Sequence, residues 1–233
     1  MLDFAEDEEL GNLNYDVGME RLKNGNFYFG NWPSNAIYEI DIMGNIVNTW
    51  DITPYEFHHN VQEKADGNLL VTASRYDAHI SGKQAIEDWI IELERNTGEI
   101  INSWDLKESL DERRRVWGWA EYGNIVDWAH ANAVIHDPRD NTIIVSCRTQ
   151  CVVKLDYNNN VKWILSNHKQ WGNNKKGQDL NDYLLMPLNA SGQAITDDEV
   201  LQGEKAHPDF EWPWYQHAPF ISSNGLLFLF DNG

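Results

Sequence analysis

The sequence has little positive charge, few cysteines and no long apolar run. Lysine and arginine total 18 against 37 aspartate and glutamate residues, so the net charge is −19 with neutral histidines. Because nucleic acids and anionic membrane surfaces are bound mainly through Lys and Arg, this balance argues against both as partners. No stretch approaches the roughly 18 consecutive apolar residues of a membrane-spanning helix, so the sequence predicts none.

The two cysteines, Cys147 and Cys151, lie in one short motif, SCRTQC. On a straight strand their Cα atoms would be about 13 Å apart, which is too far for a disulfide. If residues 148–150 instead form a hairpin tip, the two cysteines face each other and a disulfide becomes feasible. The sequence leaves both arrangements open, and two cysteines alone do not favour a metal site.

The two ends of the sequence carry different signals. The first ten residues, MLDFAEDEEL, are acidic, whereas a signal peptide begins with a basic segment followed by an apolar one. The last ten, NGLLFLFDNG, stop where an apolar strand reaches a turn. We therefore expect no export signal in the chain, and we expect the chain to be a fragment of a longer protein.

The chain contains an internal repeat of short strands and turns. Three full units share one order: a turn, an apolar strand, an alternating strand, an Asn/Gly turn and a strand that ends in tryptophan. Trp50, Trp104 and Trp163 occupy the closing position, and residues 224–233 begin a fourth unit. Gly and Asn tolerate positive φ, so their turns predict tight hairpins. These turns lie at residues 43–45, 96–98 and 158–160.

Groups of four short strands with aromatic residues at fixed positions are typical of a β-propeller. We therefore predict an all-β fold, a β-propeller with about three blades and the start of a fourth, in one partial domain over residues 1–233. The predicted units are 16–52, 57–106, 128–166 and 215–233. Insertions at 107–127 and 167–214 explain the longer spacings, and such insertions often gather on the binding face.

The insertions contain further candidates. The basic motif DERRR at 111–115 is predicted to be a solvent-exposed face. Tryptophans in and next to the insertions are expected to stack on an aromatic ligand, whereas the others pack between blades. These candidates are Trp117, Trp119, Trp212 and Trp214.

A histidine precedes the first apolar strand of three successive units. These residues are His59 in FHHN, His130 in DWAHAN and His217 in WYQHAPF. One such histidine would ordinarily be a core residue. Because the innermost strands of propeller blades converge on the central channel, three at corresponding positions predict a shared functional site.

Three imidazoles facing one channel are compatible with two kinds of site. They could bind zinc with water as the fourth ligand, or they could handle an anionic group, with one as nucleophile and the others as donors. Arg148, at the end of the strand after His130, favours the second kind. A fixed cation opposes a bound metal but supports a sulfuryl or phosphoryl group. Asn132 lies on the same strand face as His130 and can add a neutral donor.

Six motifs resemble those of the bacterial PAPS-independent aryl-sulfate sulfotransferases. In chain order they are HHNVQ, DWAHANAV, SCRTQCVVKLD, NNVKWILS, WPWYQHAPF and FDNG, and they extend over most of the 233 residues. The resemblance implies a six-bladed propeller in which one histidine is transiently sulfated. It also implies that the family's N-terminal region and further blades lie outside this chain.

Matched motif by motif, the resemblance makes His217 the nucleophile. It makes His130 and Arg148 the groups that bind and stabilise the sulfuryl oxygens, with Asn132 as an accessory donor. The third histidine, from FHHN, is expected to move protons to and from the phenol oxygen.

For that third position the repeat alignment favours His59, and His58 remains an alternative. Trp214 is expected to contact an aryl ring. The implied reaction is a ping-pong transfer from an aryl sulfate to a phenol, with no cofactor and no metal. The expected partners are these small molecules, with neither nucleic acid nor membrane, and a homodimer is kept open. The compartment is not predicted by the residues, and the resemblance implies a periplasmic or other extracytoplasmic one.

Two other functions remain open at the level of sequence. The propeller could bind a ligand or a protein without catalysis, its histidines filling the channel. Alternatively, His59, His130 and His217 could hold a zinc ion in a hydrolase.

Overall fold

The computed structural model of the chain describes residues 17–31, 34–116 and 120–233. Nearly all regular structure in these ranges is β-strand, which confirms the all-β class. In chain order the strands are β1 (Val17–Arg21), β2 (Phe27–Asn31), β3 (Ala36–Ile40), β4 (Ile46–Asp51), β5 (Tyr55–Glu63), β6 (Leu69–Arg75), β7 (His79–Ile80), β8 (Lys83–Ile86), β9 (Trp89–Leu93), β10 (Ile100–Asp105), β11 (Ala120–Tyr122), β12 (Ile125–Asp127), β13 (Ala131–Asp137), β14 (Thr142–Cys147), β15 (Cys151–Leu155), β16 (Val161–Leu165), β17 (His217–Ile221) and β18 (Leu227–Phe230). The helices are α1 (Leu106–Ser109), α2 (Asp198–Leu201) and a 3-10 turn at Leu180–Tyr183.

The strands form antiparallel sheets like the blades of a propeller. Strands β1 to β4 make the first sheet, β5, β6, β9 and β10 the second, and β13 to β16 the third. Strands β17 and β18 pair as the start of a further sheet. The first strand of each sheet packs against that of the next, β1 on β5, β5 on β13 and β13 on β17. The predicted β-propeller is thus confirmed.

The hydrophobic core lies in the seams between neighbouring sheets. Strands β14 and β15 are buried along their whole length, as expected for strands covered on both faces. The seam between the first two sheets includes Ile37, Phe57 and Val71. The seam between the third sheet and β17–β18 includes Ile144 and Val152, with Ile221 and Leu227 packed against them.

Two of the three closing tryptophans, Trp50 and Trp104, bond one sheet to the next. Trp50 Nε1 donates to the carbonyl of Arg95 at 2.7 Å, and Trp104 Nε1 donates to the carbonyl of Asp156 at 2.9 Å. Both acceptors lie in the turn between the third and fourth strands of the following sheet. A buried indole N–H requires a partner, so the repeated tryptophan both fills the seam and fixes its register.

The Asn/Gly turns have the backbone that the sequence predicts. Gly44, Gly98 and Asn159 adopt φ values of 88°, 75° and 58°. These are left-handed conformations that favour Gly and Asn over other residues.

A separate small sheet departs from the repeat. Residues 76–88, which the repeat does not distinguish from the second unit, contribute β7 and β8, and the insertion at 107–127 contributes β11 and β12. The order is β11-β12-β8-β7, with β12 and β8 parallel. In this inserted sheet, Asp127 is the last residue of β12, and Glu87 directly follows β8.

The longer insertion, 167–214, contains the 3-10 turn and α2 and is otherwise irregular. Among the helices of the described ranges, none has the length and apolarity to cross a membrane. Trp117 and Trp119, two of the predicted stacking residues, lie outside the described residues.

The predicted solvent-exposed face at 111–115 is wrong for Arg114. This side chain is 1% exposed. Its guanidinium donates to the carbonyls of Gln150 and Lys169, both at 2.9 Å, and lies 4.1 Å from the centre of the Trp171 ring. Burial lowers the pKa of Arg114 to about 10, so it remains charged at neutral pH. Arg114 can be buried because main-chain carbonyls accept the hydrogen bonds that water would otherwise accept from its guanidinium. The side chain therefore connects distant segments of the fold instead of facing solvent.

Candidate active site

The innermost strands are irregular where the predicted histidines lie. The pairing of β5 with β6 is interrupted between Phe57 and Val61, and that of β17 with β18 between His217 and Phe220. Five residues around these points adopt left-handed φ without being glycine, which aims side chains away from the regular strand direction. They are His59, Glu87, His130, Tyr215 and Ala218, with φ between 47° and 58°.

The structure brings His58, His59 and His130 into direct contact. The Nε2 atoms of His59 and His130 are 3.2 Å apart. The His58 ring meets the His59 ring edge-on, with centroids 3.9 Å apart. His59 lies inside β5, whereas His130 immediately precedes β13, so the two positions correspond only approximately in the repeat.

Two carboxylates surround the other side of His130. Its Nδ1 lies 2.5 Å from Glu87 Oε2 and 2.6 Å from Asp127 Oδ2. Burial alone would lower the pKa of His130. The hydrogen bonds to Asp127 and Glu87 outweigh it and raise that pKa to about 9. His130 is therefore an imidazolium at neutral pH, with Nε2–H directed toward His59.

His59 is the neutral partner of this pair. Burial, together with the nearby His58 and His130 rings, lowers the pKa of His59 to about 3. Its Nε2 can then accept the hydrogen bond that His130 donates. His58 is completely buried, and its Nε2 lies 2.7 Å from Glu87 Oε1.

His217 has a different environment. Its Nδ1 lies 2.7 Å from the carbonyl oxygen of Tyr215, which can only accept a hydrogen bond. Nδ1 therefore carries the proton, and Nε2 keeps its lone pair. Burial lowers the pKa of His217, and the charges of Arg148 and His130 lower it further. The side chain is neutral at neutral pH.

Arg148 lies at the tip of the β14–β15 hairpin, beside the histidines. Its backbone N–H donates to the carbonyl of His130 at 3.0 Å, and its guanidinium lies 5.3 Å from the centre of the Tyr215 ring. Its Nε is buried and has no hydrogen-bond partner within the described residues. A buried donor without an acceptor is uncommon and is consistent with a site for an anion.

The hairpin tip also settles the arrangement of the cysteines. Cys147 and Cys151 pair directly across β14 and β15, as the hairpin alternative predicts, and both thiols are free. The hydrogen bond between the two thiols, with burial, raises the pKa of Cys147.

Gln216 connects the strand of His217 to this hairpin. Its side-chain amide donates to the carbonyls of Cys147 and Cys151, at 2.9 and 3.0 Å. Its own carbonyl accepts from Asn132 Nδ2 at 2.9 Å and from Ser146 Oγ at 3.1 Å. Asn132 is thus next to the site, with one of its two amide hydrogens already bonded to protein.

Trp214 and Arg148 line one cleft, together with Pro213, Tyr215 and the residues of the hairpin tip. Trp214 also borders a second cleft that includes Phe210 and Trp212. The ring is partly exposed between the two clefts.

The predicted three-histidine zinc site does not form within the described ranges. There, the residues whose ligand atoms all lie within 4.8 Å of one another are Glu87, Asp127 and His130. Zinc ligands at about 2.0–2.1 Å would be roughly 3.4 Å apart in a tetrahedron. The observed separations from His130 Nδ1, 2.5 and 2.6 Å, are instead those of charge-assisted hydrogen bonds.

Sequence reasoning missed Glu87, Asp127 and Gln216. Asp127 and Gln216 lie inside two of the motifs that carry the resemblance, DWAHANAV and WPWYQHAPF, which is the one signal that could have found them. Glu87 lies in a stretch that the repeat does not distinguish, so its sequence context carries no such signal.

Comparisons with known proteins identify the family of the chain. The family model described as Arylsulfotransferase (ASST) matches residues 3–233. The arylsulfate sulfotransferase AssT of Escherichia coli O6:H1 is 28% identical over 267 aligned positions, covering 97% of this chain and 42% of the relative. AssT of Lelliottia amnigena is 28% identical over 236 positions, covering 84% of this chain and 38% of the relative. The chain thus spans about two fifths of the length of these relatives.

Solved structures are similar at low identity. A streptogramin B lyase has a TM-score of 0.44 at 11% identity, covering 92% of this chain and 54% of that one. The virginiamycin B lyase of Staphylococcus aureus has a TM-score of 0.41 at 10% identity, covering 93% and 55%. The family assignment rests on the sequence match, which extends over almost the whole chain: the protein belongs to the arylsulfotransferase family.

Proposed function

We propose that the protein is an aryl sulfate sulfotransferase that moves a sulfuryl group from a phenolic sulfate ester to a phenol through a sulfated His217. Membership of the family and two relatives named arylsulfate sulfotransferases support the general activity. The observation that carries the mechanism is the contrast at the site. A neutral His217 with a free Nε2 lies in the field of two cations, Arg148 and His130.

The first half-reaction uses His217 Nε2 as the nucleophile. Its lone pair forms an N–S bond to the ester sulfur while the S–O bond to the aryl oxygen breaks. The phenolate takes the electron pair of that bond and then a proton. The imidazole, now bonded to sulfur, gains positive charge, which the carbonyl of Tyr215 on Nδ1–H stabilises at 2.7 Å.

The second half-reaction reverses these bonds with a new phenol. The acceptor phenol loses its proton, its oxygen bonds to sulfur, and the N–S bond breaks. His217 is returned neutral, so the donor and acceptor use the same groups in turn, as a ping-pong mechanism requires.

Arg148 and His130 would bind the sulfuryl oxygens. The buried Nε of Arg148 has no partner among the described residues, and His130 is an imidazolium that directs Nε2–H toward His59. Both are cations held before the substrate arrives, so they would stabilise charge on the oxygens without reorganisation. Asn132 retains one amide hydrogen that could donate to the same group.

His59 is the histidine that we assign to proton movement. It is neutral and shares a 3.2 Å contact with the charged His130. A bound sulfate anion would raise the proton affinity of His59, so that its neutral ring could take the acceptor's proton and become an imidazolium. His58 is bonded to Glu87 and buried, which makes it less suited to contact a phenol. Trp214, on the cleft beside Arg148, would pack against an aryl ring.

The test is a search for the covalent intermediate in the intact protein. After incubation with an aryl sulfate and no acceptor, a peptide that contains His217 should gain the mass of one sulfuryl group. Addition of a phenol should remove it, and the phenol should appear as its sulfate ester. His217→Ala should abolish both the mass gain and turnover, by about 10³-fold or more.

The matched control is His79→Ala, because His79 is exposed on β7 in the inserted sheet. That variant should retain both the sulfated peptide and turnover. Transfer without any sulfated His217 peptide would rule out the covalent mechanism. Ligand affinity that His217→Ala leaves unchanged, together with no turnover by the wild type, would favour the binding-only alternative.

A further inference from the structure

Glu87 connects two of the three contacting histidines. Oε1 lies 2.7 Å from His58 Nε2, and Oε2 lies 2.5 Å from His130 Nδ1. A carboxylate that bridges two ring nitrogens fixes the orientation of both rings and decides which nitrogen of each carries a proton.

The backbone of Glu87 is itself held on both sides. Its N–H donates to Ser74 Oγ at 2.8 Å, and its carbonyl accepts from the N–H of Ala131 at 2.8 Å. Its φ is 58°, an unfavourable value for a glutamate. The next residue, Asp88, is buried and accepts from Lys107 Nζ at 2.8 Å and Trp128 Nε1 at 3.0 Å. A residue kept in an unfavourable conformation by this many contacts has a position that the fold specifies.

The charged groups around His130 come from four directions. Glu87 and Asp127 face Nδ1 from the inserted sheet, and His59 faces Nε2 from β5. The His58 ring lies edge-on, with centroids 5.4 Å apart. On β17, the pKa of His217 is lowered by the charge of His130. Arg148 lies on the β14–β15 hairpin and lowers that pKa as well. The two carboxylates therefore stabilise the positive charge of the His130 ring and hold a proton on its Nδ1.

We propose that Glu87 is a positioning residue for sulfuryl transfer: its carboxylate fixes His58 and His130 and, with Asp127, keeps His130 as a cation whose Nε2–H faces His59. The role in turnover rests on the proposed function, whereas the charge state of His130 does not. Neither carboxylate belongs to the propeller repeat. The negative charge that stabilises the His130 imidazolium therefore comes from the inserted sheet and from the residue that follows β8.

The test is a histidine titration by ¹⁵N NMR on the intact protein and on Glu87→Gln. His130, assigned by its absence in His130→Gln, should be an imidazolium at pH 8 in the wild type. In Glu87→Gln its midpoint should fall by about one pH unit or more, because one of two opposite charges has been removed. In parallel, the basic limb of kcat/KM should move to lower pH by the same amount.

Glu92→Gln is the matched control, since Glu92 is also buried and bonds Lys64 Nζ at 2.5 Å on a different part of the second sheet. It should leave the titration of His130 unchanged. If Glu87→Gln does not fold, Asp127→Asn replaces it: the midpoint of His130 should fall but stay above its ordinary value of about 6.5, since Glu87 remains.

A wild-type His130 that is neutral at pH 8, or a midpoint that Glu87→Gln leaves in place, would overturn the proposal. So would a stoichiometric divalent ion in the purified protein that is lost in Glu87→Gln, because Glu87 would then be a ligand. If the wild type transfers no sulfuryl group, the proposed function fails, and the NMR titration alone still decides whether Glu87 holds the charge on His130.

Discussion

His130 and His217 both lie close to Arg148, and their surroundings are opposite. Two carboxylates bond Nδ1 of His130, whereas a single carbonyl bonds Nδ1 of His217 and the nearest charges are cations. The pKa of His130 is raised to about 9, and burial with Arg148 lowers that of His217. The same residue type is thus a fixed cation in one place and a neutral ring in the other, and the neutral ring is the one to which we assign the role of nucleophile.

The difference shows that the partner of Nδ1, rather than the histidine itself, decides the chemistry at Nε2. A carboxylate stabilises an imidazolium, whose Nε2 can only donate. A carbonyl orients a neutral ring, whose Nε2 lone pair remains available. Three experiments test this contrast, from the largest expected effect on kcat/KM to the smallest.

Replacing Arg148 should have the largest effect, because it removes the two-pronged donor beside His217. Arg148→Lys keeps the charge but loses the planar guanidinium, and kcat/KM for an aryl sulfate should fall by about 10²- to 10³-fold. Steady-state kinetics at pH 7.5 measure this loss. Arg113→Lys, at a highly exposed arginine, should lose less than about twofold. Equal rates for Arg148→Lys and wild type would remove Arg148 from the site.

The pH profile should reflect both histidines at once. His217 must be neutral, and its lowered pKa places the acidic limb below pH 6.5. His130 must be protonated, and its raised pKa places the basic limb near pH 9. Between these limits kcat/KM should be flat, and it should fall by about tenfold per pH unit beyond each. A basic limb at pH 7 or below in the wild type would contradict a charged His130.

Gln216→Leu should have the smallest effect on chemistry and a clear one on stability. It removes the donors to the carbonyls of Cys147 and Cys151 and leaves both acceptors buried. We expect the free energy of unfolding to fall by about 1–3 kcal/mol, measured by urea denaturation. Gln193→Leu, on an exposed loop, should change it by less than about 0.5 kcal/mol. A Gln216→Leu variant as stable as wild type would mean that the hairpin holds its place without this link.

Much of the fold can be predicted from the sequence because its determinants are local. Continuous apolar runs such as TIIVSC become fully buried strands, and Gly44 and Gly98 adopt the positive φ that their turns need. The closing tryptophans mark the blade period because each one fills a seam. The inserted sheet could not be predicted, since it pairs β8 with β12 across some forty residues and its strands are only two to four residues long.

The residues of the candidate site also differ in how well the sequence predicts them. His59, His130 and Arg148 lie on or beside innermost strands, so their convergence follows from the repeat. Glu87 reaches them through a parallel pairing and a left-handed backbone, neither of which leaves a mark in its sequence.

The exposure of Arg114 was predicted wrongly for a related reason. A run of charges predicts solvent exposure unless main-chain carbonyls from distant segments converge on it.

The tryptophan bonds between sheets have a consequence for how the chain assembles during synthesis. Trp50 finds its acceptor 45 residues later, at Arg95, and Trp104 finds its acceptor 52 residues later, at Asp156. Each sheet can therefore complete its last contact only after the third strand of its successor has left the ribosome. These two bonds can form only in the order of translation, so the second sheet secures the first and the third sheet secures the second.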